Sequence, residues 1–207
     1  MNSEPNSYRR TVQLNKPVEN KFFKITRNKK DKNYLLFNDE NKLILHCKFE
    51  NKVYNIYDIE SKKIAVIHKV GYRFYNNTLH KMYYLYYNKK ENSQILGIHQ
   101  CIKKNYNQFS IPHVYEYNHG FNSFRDLDHM YLTDNTNKRR IILESIEFNE
   151  SAKFDDYVNS IKNSQYYIKN NLKFELIKDS TNNFNLYLDN PLSLIQGFML
   201  ALVNLRI

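Results

Sequence analysis

Hydrophobic positions along this chain come in short runs rich in β-branched and aromatic residues, broken by polar turns. Phe22–Thr26, Tyr34–Asn38, Lys42–Phe49, Val53–Asp58 and Lys63–Lys69 follow one another within about fifty residues. The breaks between them are Asn38-Asp39-Glu40-Asn41, Glu50-Asn51 and Glu60-Ser61-Lys62. Asn and Asp tolerate the left-handed backbone that tight hairpins require. Strands recurring about every ten residues predict an antiparallel sandwich or barrel. The pattern continues through Tyr72–Tyr75, Met82–Tyr87, Gln94–Ile102, Phe109–Tyr117, His129–Thr133, Arg139–Phe148, Tyr166–Ile168, Leu172–Ile177 and Phe184–Leu188. Phe154, Tyr157, Val158 and Ile161 instead fall at helical spacing, which predicts a short amphipathic helix. Residues 1–20, polar, basic and interrupted by Pro5 and Pro17, read as a flexible basic N-terminal arm. The remainder, 21–207, reads as one domain.

The last segment differs in kind. Asn190 can cap a helix and Pro191 suits its first turn, where a missing N–H is no loss. Apolar residues from Leu192 to Leu205 then cover every face. A helix hydrophobic all round is buried all round, in protein or in lipid. From Pro191 to Asn204 is about 21 Å at 1.5 Å per residue, whereas a bilayer core needs roughly 20 apolar residues. Ser193, Gln196 and Asn204 interrupt the run, and Arg206 ends it. The expected solution is a central helix over 191–206, enclosed by the preceding strands. Burying about ten apolar side chains at roughly 2 kcal/mol each makes it the largest hydrophobic contribution in the fold.

Composition bounds the rest. The 207 residues suffice for one full-sized core, and the apolar share of 42% excludes a wholly disordered chain. A mean hydropathy of -0.71 excludes a polytopic membrane protein. Alanine occurs three times, and Asn and Lys are abundant, so a bare lysine run carries less information than usual. The net charge of +10 points to anionic partners, either membrane surfaces or nucleic acid. Nine of the cations lie between Arg9 and Lys32.

Candidate chemistry is sparse. Cys47 and Cys101 lack metal-ligand spacing, and two thiols without a secretory signal indicate a reducing intracellular compartment. The sequons at Asn76 and Asn149 then have no glycosylation to meet. His46 and Cys47 adjoin on a strand and face opposite ways, which excludes a nucleophile–base pair. His113, His119 and His129 are spaced too irregularly for a zinc site. Tyr83, Tyr84, Tyr86 and Tyr87 with Lys81, Lys89 and Lys90 read as sheet packing or as a stacking platform for single-stranded nucleic acid. Asp126 and Asp128, after Gly120, read as loop. No phosphate-binding, dinucleotide, hydrolase or metalloprotease motif occurs. The chain is therefore expected to be non-enzymatic and to need no cofactor or metal.

The residues resemble the C-terminal domain of the tubby family. That family's terminal helix opens with Pro-Leu-Ser, places Gln then Phe on the next turn and closes with Ala-Leu. Here the corresponding residues are Pro191-Leu192-Ser193, Gln196, Phe198 and Ala201-Leu202, then Asn204. The opening strand Lys24-Ile25-Thr26-Arg27 and the segment Ser160-Ile161-Lys162-Asn163 are similar to family motifs as well, and the second reads 154–161 as strand. Tyr54-Asn55-Ile56-Tyr57-Asp58 resembles equally the phospholipid scramblases and the plant LURP-one-related proteins, which share the plan. The resemblance implies a mainly β fold: a closed antiparallel barrel of about 12 strands wrapped around the C-terminal helix. It also implies phosphoinositide binding at the cytosolic membrane face, in an adaptor role. The residues falling at the family's ligand positions are Lys48, Lys52, His68 and Lys69. The expected location is cytoplasmic, peripheral at the plasma membrane. Three alternatives stay open: a scramblase-like protein whose helix enters the bilayer, a nucleic-acid-binding domain, and a protein-interaction scaffold.

Overall fold

The computed structural model describes the backbone of 14, 16–75, 78–87, 94–103, 110–113, 129–134, 139–145, 148–160 and 162–205, with side chains for 14, 16–67, 148–160 and 162–205. Among the described residues thirteen strands form one antiparallel sheet. They are β1 (Lys21–Asn28), β2 (Asn33–Asn38), β3 (Leu43–Glu50), β4 (Val53–Asp58), β5 (Lys63–Tyr75), β6 (Thr78–Tyr87), β7 (Gln94–Lys103), β8 (Ser110–His113), β9 (His129–Asp134), β10 (Arg139–Ser145), β11 (Ser164–Ile168), β12 (Asn171–Lys178) and β13 (Asn183–Leu188). One helix follows, α1 (Leu194–Leu205). The order across the sheet is β8-β7-β6-β5-β4-β3-β2-β1-β13-β12-β11-β10-β9. The two runs Lys63–Lys69 and Tyr72–Tyr75 are one strand, β5, continuous through a register shift between Lys69 and Gly71.

Hairpin chemistry sets these boundaries. Asn41, Asn51 and Asn170 carry positive φ at the turns β2–β3, β3–β4 and β11–β12, the role expected of Asn. Lys32, Lys52, Ser61 and Lys169 adopt the same backbone, with φ between 48° and 66°, although single residues of these types rarely do.

Alternate residues of β1–β5 and β11–β13 face inward onto α1. They include Ile25, Leu36, Leu45, Ile56, Ile67, Tyr166, Phe174 and Leu186, each at most 2% exposed. Every residue of α1 except Gln196 is buried. The expected enclosure of the helix by its own sheet is therefore present. Gly197 allows the closest approach: a Cβ there would overlap the side chain of Leu188 on β13. The finer expectation, a closed barrel of about 12 strands, is not met as written. The ladders end at β8 and β9, and no pairing joins those two strands among the described residues. β9 nevertheless lies against β7 and β8.

The helix starts later than the expected 191–206. Ser193, not Asn190, is its cap. Ser193 Oγ accepts from Gln196 N–H at 3.3 Å, and Gln196 Oε1 accepts from Ser193 N–H at 3.0 Å. This is a reciprocal capping box, Ser-x-x-Gln, which satisfies two otherwise orphaned donors. Leu192 remains outside the helix because its carbonyl accepts from Val18 N–H at 2.9 Å. At the other end Tyr166 Oη donates to Asn204 Oδ1 at 3.0 Å inside the core. Arg27 and Lys162 both donate to the Leu205 carbonyl, at 3.3 and 3.2 Å, where the helix dipole favours cations.

Two other expectations change. Residues 16–20 are pinned rather than free. Pro17 bridges to Ser193, and Asn20 N–H donates to Asp189 Oδ1 at 3.1 Å; residues 1–13 lie outside the described ones. Segment 148–160 is neither helix nor strand. It is a strap across the outer face of β11–β13 and β1. Phe154 packs edge-on against Phe22, Phe148 against Tyr157, and the Lys153 ammonium sits 4.7 Å from the Tyr187 ring. Two of its backbone N–H groups tie it to the sheet, Val158 to the Lys178 carbonyl and Ala152 to Glu175 Oε1, while those of Lys153 and Phe154 close a local turn on Ser151 Oγ. Ile161 lies outside the described residues.

Asp189 anchors the helix entry. Burial alone would raise its pKa, but hydrogen bonds from Lys173 and from the Asn20 and Asn190 backbones outweigh burial and hold the carboxyl below its ordinary value. The native state thus binds this proton more weakly than the unfolded chain does. The resulting stabilisation is present above the ordinary carboxylate pKa, about 3.9, and is lost as pH falls through the native value. Thermal melts from about pH 5 down to about pH 2 should show Asp189→Asn less stable than wild type at the top of that range. The gap should close at the bottom; a gap that widens on acidification would contradict the assignment.

Candidate functional site

The outer face of β3 and the turn that follows it carry two of the residues singled out by the family resemblance, Lys48 and Lys52. Alternation along β3 turns Leu45 and Cys47 into the core and leaves His46, Lys48 and Glu50 outward. The ladder places Lys48 between Asn33 on β2 and Asn55 on β4, and Asn55 opposite Val66 on β5. Lys48 and Lys52 are both exposed. Lys52 stands in the two-residue turn with Asn51, at φ 66° and 52° respectively. His68 and Lys69 continue β5 opposite Tyr84 and Tyr83 of β6; their side chains lie outside the described residues. Register therefore brings Lys48 and Lys52 to one end of the sheet and carries β5 past that end.

A hydrogen-bonded group threads between these lysines. Glu50 Oε2 accepts from Tyr57 Oη at 3.2 Å and Asn55 Nδ2 at 3.5 Å, and Asn55 Oδ1 accepts from Lys63 Nζ at 2.8 Å. His46 stacks on Tyr57, with centroids 5.0 Å apart and rings 12° from parallel. Burial first, then the charge of Lys48, hold His46 below the usual imidazole pKa against the opposing pull of Asp58. Burial, then the hydrogen bond to Glu50, raises Tyr57. His46 is thus largely neutral near pH 7 and contributes stacking. Because Glu50 stands between Lys48 and Lys52 along the chain, the two lysines form the rim of a positive surface and not a closed cage.

The turn between β1 and β2 extends that surface. Lys29, Lys30 and Lys32 are all exposed there, and the Lys32 ammonium lies 4.9 Å from the Phe49 ring on β3. In a meander, turns β1–β2 and β3–β4 fall at the same end, so these three lysines join Lys48 and Lys52. The sequence alone places them only within the basic stretch Arg9–Lys32. Counting hairpins would have found them, because turn parity decides the end at which each turn falls.

Other candidates separate. Cys47 is fully buried, on the face opposite His46. Among the described residues no group of three or more His, Cys, Asp or Glu side chains is placed to hold a metal ion. The side chains of His113, His129, Cys101 and Tyr83–Tyr87 lie outside the described residues, as do His119, Asp126 and Asp128 entirely. No helix among the described residues is long and apolar enough to cross a membrane.

Fold and surface together define an antiparallel β protein that buries its own C-terminal helix and presents lysines at one end of the sheet. No protein-family model matches the chain, and no curated protein does. Among solved structures, the X-ray structure of a protein from Arabidopsis thaliana aligns over 93% of this chain and 91% of its own, with 10% sequence identity and a TM-score of 0.49.

Proposed function

We propose that the chain is a tubby-like domain without catalytic activity. Its sheet closes into a barrel around α1, and it binds phosphoinositide or other anionic head groups as a peripheral adaptor at the cytosolic face of a membrane. The observation that carries this reading is the helix: eleven of its twelve residues are buried, within a core supplied by its own strands. Such a helix is unavailable for insertion into lipid, so attraction to a membrane must come from the surface. Closure is supported by β9 lying against β7 and β8. Head-group binding is supported by the exposed Lys48 and Lys52 on β3 and its turn, with His68 and Lys69 on the continuation of β5, one strand further across the sheet. A multiply charged phosphate is attracted by ammonium groups gathered on one surface.

Flotation with phosphatidylcholine vesicles, with and without phosphatidylinositol bisphosphate, tests the reading. At ~0.1 M salt, where exposed charges are screened beyond about 10 Å, the wild type should float only with the phosphoinositide. Lys48→Ala with Lys52→Gly should lose about 10-fold to 30-fold in binding, each cation near an anionic surface being worth about 1 kcal/mol. Loss of fold would not explain that result. Glycine at the positive φ of Lys52 relieves backbone strain, so Lys52→Gly alone should raise stability by about 1 kcal/mol. Absence of lipid-dependent flotation would count against the proposal.

A further inference from the structure

We propose that the domain docks end-on to an anionic bilayer, through the end of the sheet formed by turns β1–β2 and β3–β4. This rests on the peripheral-membrane reading above and adds the orientation and the contact surface. The argument comes from turn parity. Turns 29–32 and 51–52 share one end and present Lys29, Lys30, Lys32 and Lys52, with Lys48 just behind. The acids at that end, Asp31, Glu50 and Asp179, offset the lysines only in part, three carboxylates against five ammonium groups. Asp31 accepts from Asn28 at 2.6 Å, and Glu50 from Tyr57 and Asn55.

The opposite end is balanced. Turns 39–42 and 59–62 pair acids with lysines: Lys42 lies 2.5 Å from Glu40, Lys62 adjoins Glu60 along the chain, and Lys173 lies 2.6 Å from Asp189 nearby. A lysine-rich composition would load both ends alike, so the asymmetry is a property of the fold. The ends are about 25 Å apart, the length of an eight-residue strand. With a Debye length near 8 Å at physiological salt, only the end facing a charged surface senses its potential, and orientation follows. A bilayer fits better than nucleic acid. Arg27, the one described guanidinium near this end, is engaged with the Leu205 carbonyl and the Phe184 ring. What projects outward is a set of separated ammonium groups, suited to a flat anionic surface and not to bidentate reading of phosphates or bases.

Because the chain contains no tryptophan, a single introduced one reports position. Lys29→Trp marks the lysine-rich end, and Ile59→Trp, at a residue 51% exposed, marks the other. Both are measured in the full chain at saturating phosphatidylcholine–phosphatidylserine vesicles bearing dansyl head groups. Strong energy transfer is expected from position 29 and little from 59. Lys29→Ala/Lys30→Ala/Lys32→Ala should weaken binding to these vesicles about 10²-fold, and Lys42→Ala/Lys62→Ala less than about 2-fold. Equal transfer from both positions, or equal losses in the two sets, would overturn end-on docking while leaving membrane binding intact. A wild type that ignores phosphatidylserine vesicles overturns it too, and phosphoinositide flotation then decides the broader reading separately. Tighter binding to an oligonucleotide than to the vesicles would also overturn it.

Discussion

Phe198→Ala is expected to lower unfolding free energy by about 3–5 kcal/mol, the range for truncating a fully buried aromatic. Phe198 lies mid-helix, fully buried, among Leu, Ile and Met neighbours. The helix is enclosed on every side, so the surroundings have little freedom to collapse into the space left behind. A domain of this size is stable by about 5–15 kcal/mol in total, and the loss would consume a large share of it. Phe198→Leu, which keeps most of the volume, should cost less than about 1.5 kcal/mol. Urea midpoints at constant slope measure both. A cost below about 1 kcal/mol for the alanine variant would mean that the helix has somewhere to move, and the enclosure would then be wrong.

Glu175→Ala is the second large effect. Glu175 is completely buried on β12 beneath the 148–160 strap. Its Oε1 accepts from Ala152 N–H at 2.9 Å and Gln165 Nε2 at 2.5 Å, and Gln165 Oε1 in turn accepts from Tyr167. Oε2 has no donor among the described residues. Burial first, then this carboxylate, raises Tyr167. Removing the side chain orphans buried donors at about 1–3 kcal/mol apiece and leaves a void, so a loss of about 3 kcal/mol is expected. The strap should also loosen, because Ala152 N–H is one of its ties to the sheet. Trypsin should then cut after Lys153 faster than global unfolding accounts for. Glu175→Gln keeps an acceptor at Oε1 and should cost about 1 kcal/mol. If both variants behave alike, the hydrogen bonds at Oε1 are not what holds the strap.

Strands were legible because their information is local. β4 spans Val53–Asp58, the range predicted by its run of β-branched and aromatic residues between polar turns, and β1, β2, β3 and β13 differ by one or two residues at an end. The all-round apolarity of the terminal segment was legible too, since a helix with no polar face must be covered. Other features were not. The 154–161 spacing suggested a helix because Phe154, Tyr157 and Val158 recur at the right interval, yet Val158 is 42% exposed and Phe154 is held by Phe22, 132 positions away in the chain. Periodicity in so short a stretch loses to bonds and ring contacts offered by the face of the sheet beneath it. The cap moved from Asn190 to Ser193 because Val18, far away in sequence, takes the Leu192 carbonyl.

The candidate surface divides the same way. Lys48 and Lys52 could be picked out by resemblance, but their joining with Lys29, Lys30 and Lys32 required strand order and turn parity. By itself the sequence determined a β-rich chain with a buried terminal helix and surplus positive charge, because alternation, turn residues and hydrophobicity act over a few residues. Tertiary structure alone decided which turns share an end, what the strap covers and which residue caps the helix. Those depend on pairings such as β1 with β13, between groups more than 150 residues apart, and no local preference carries that information.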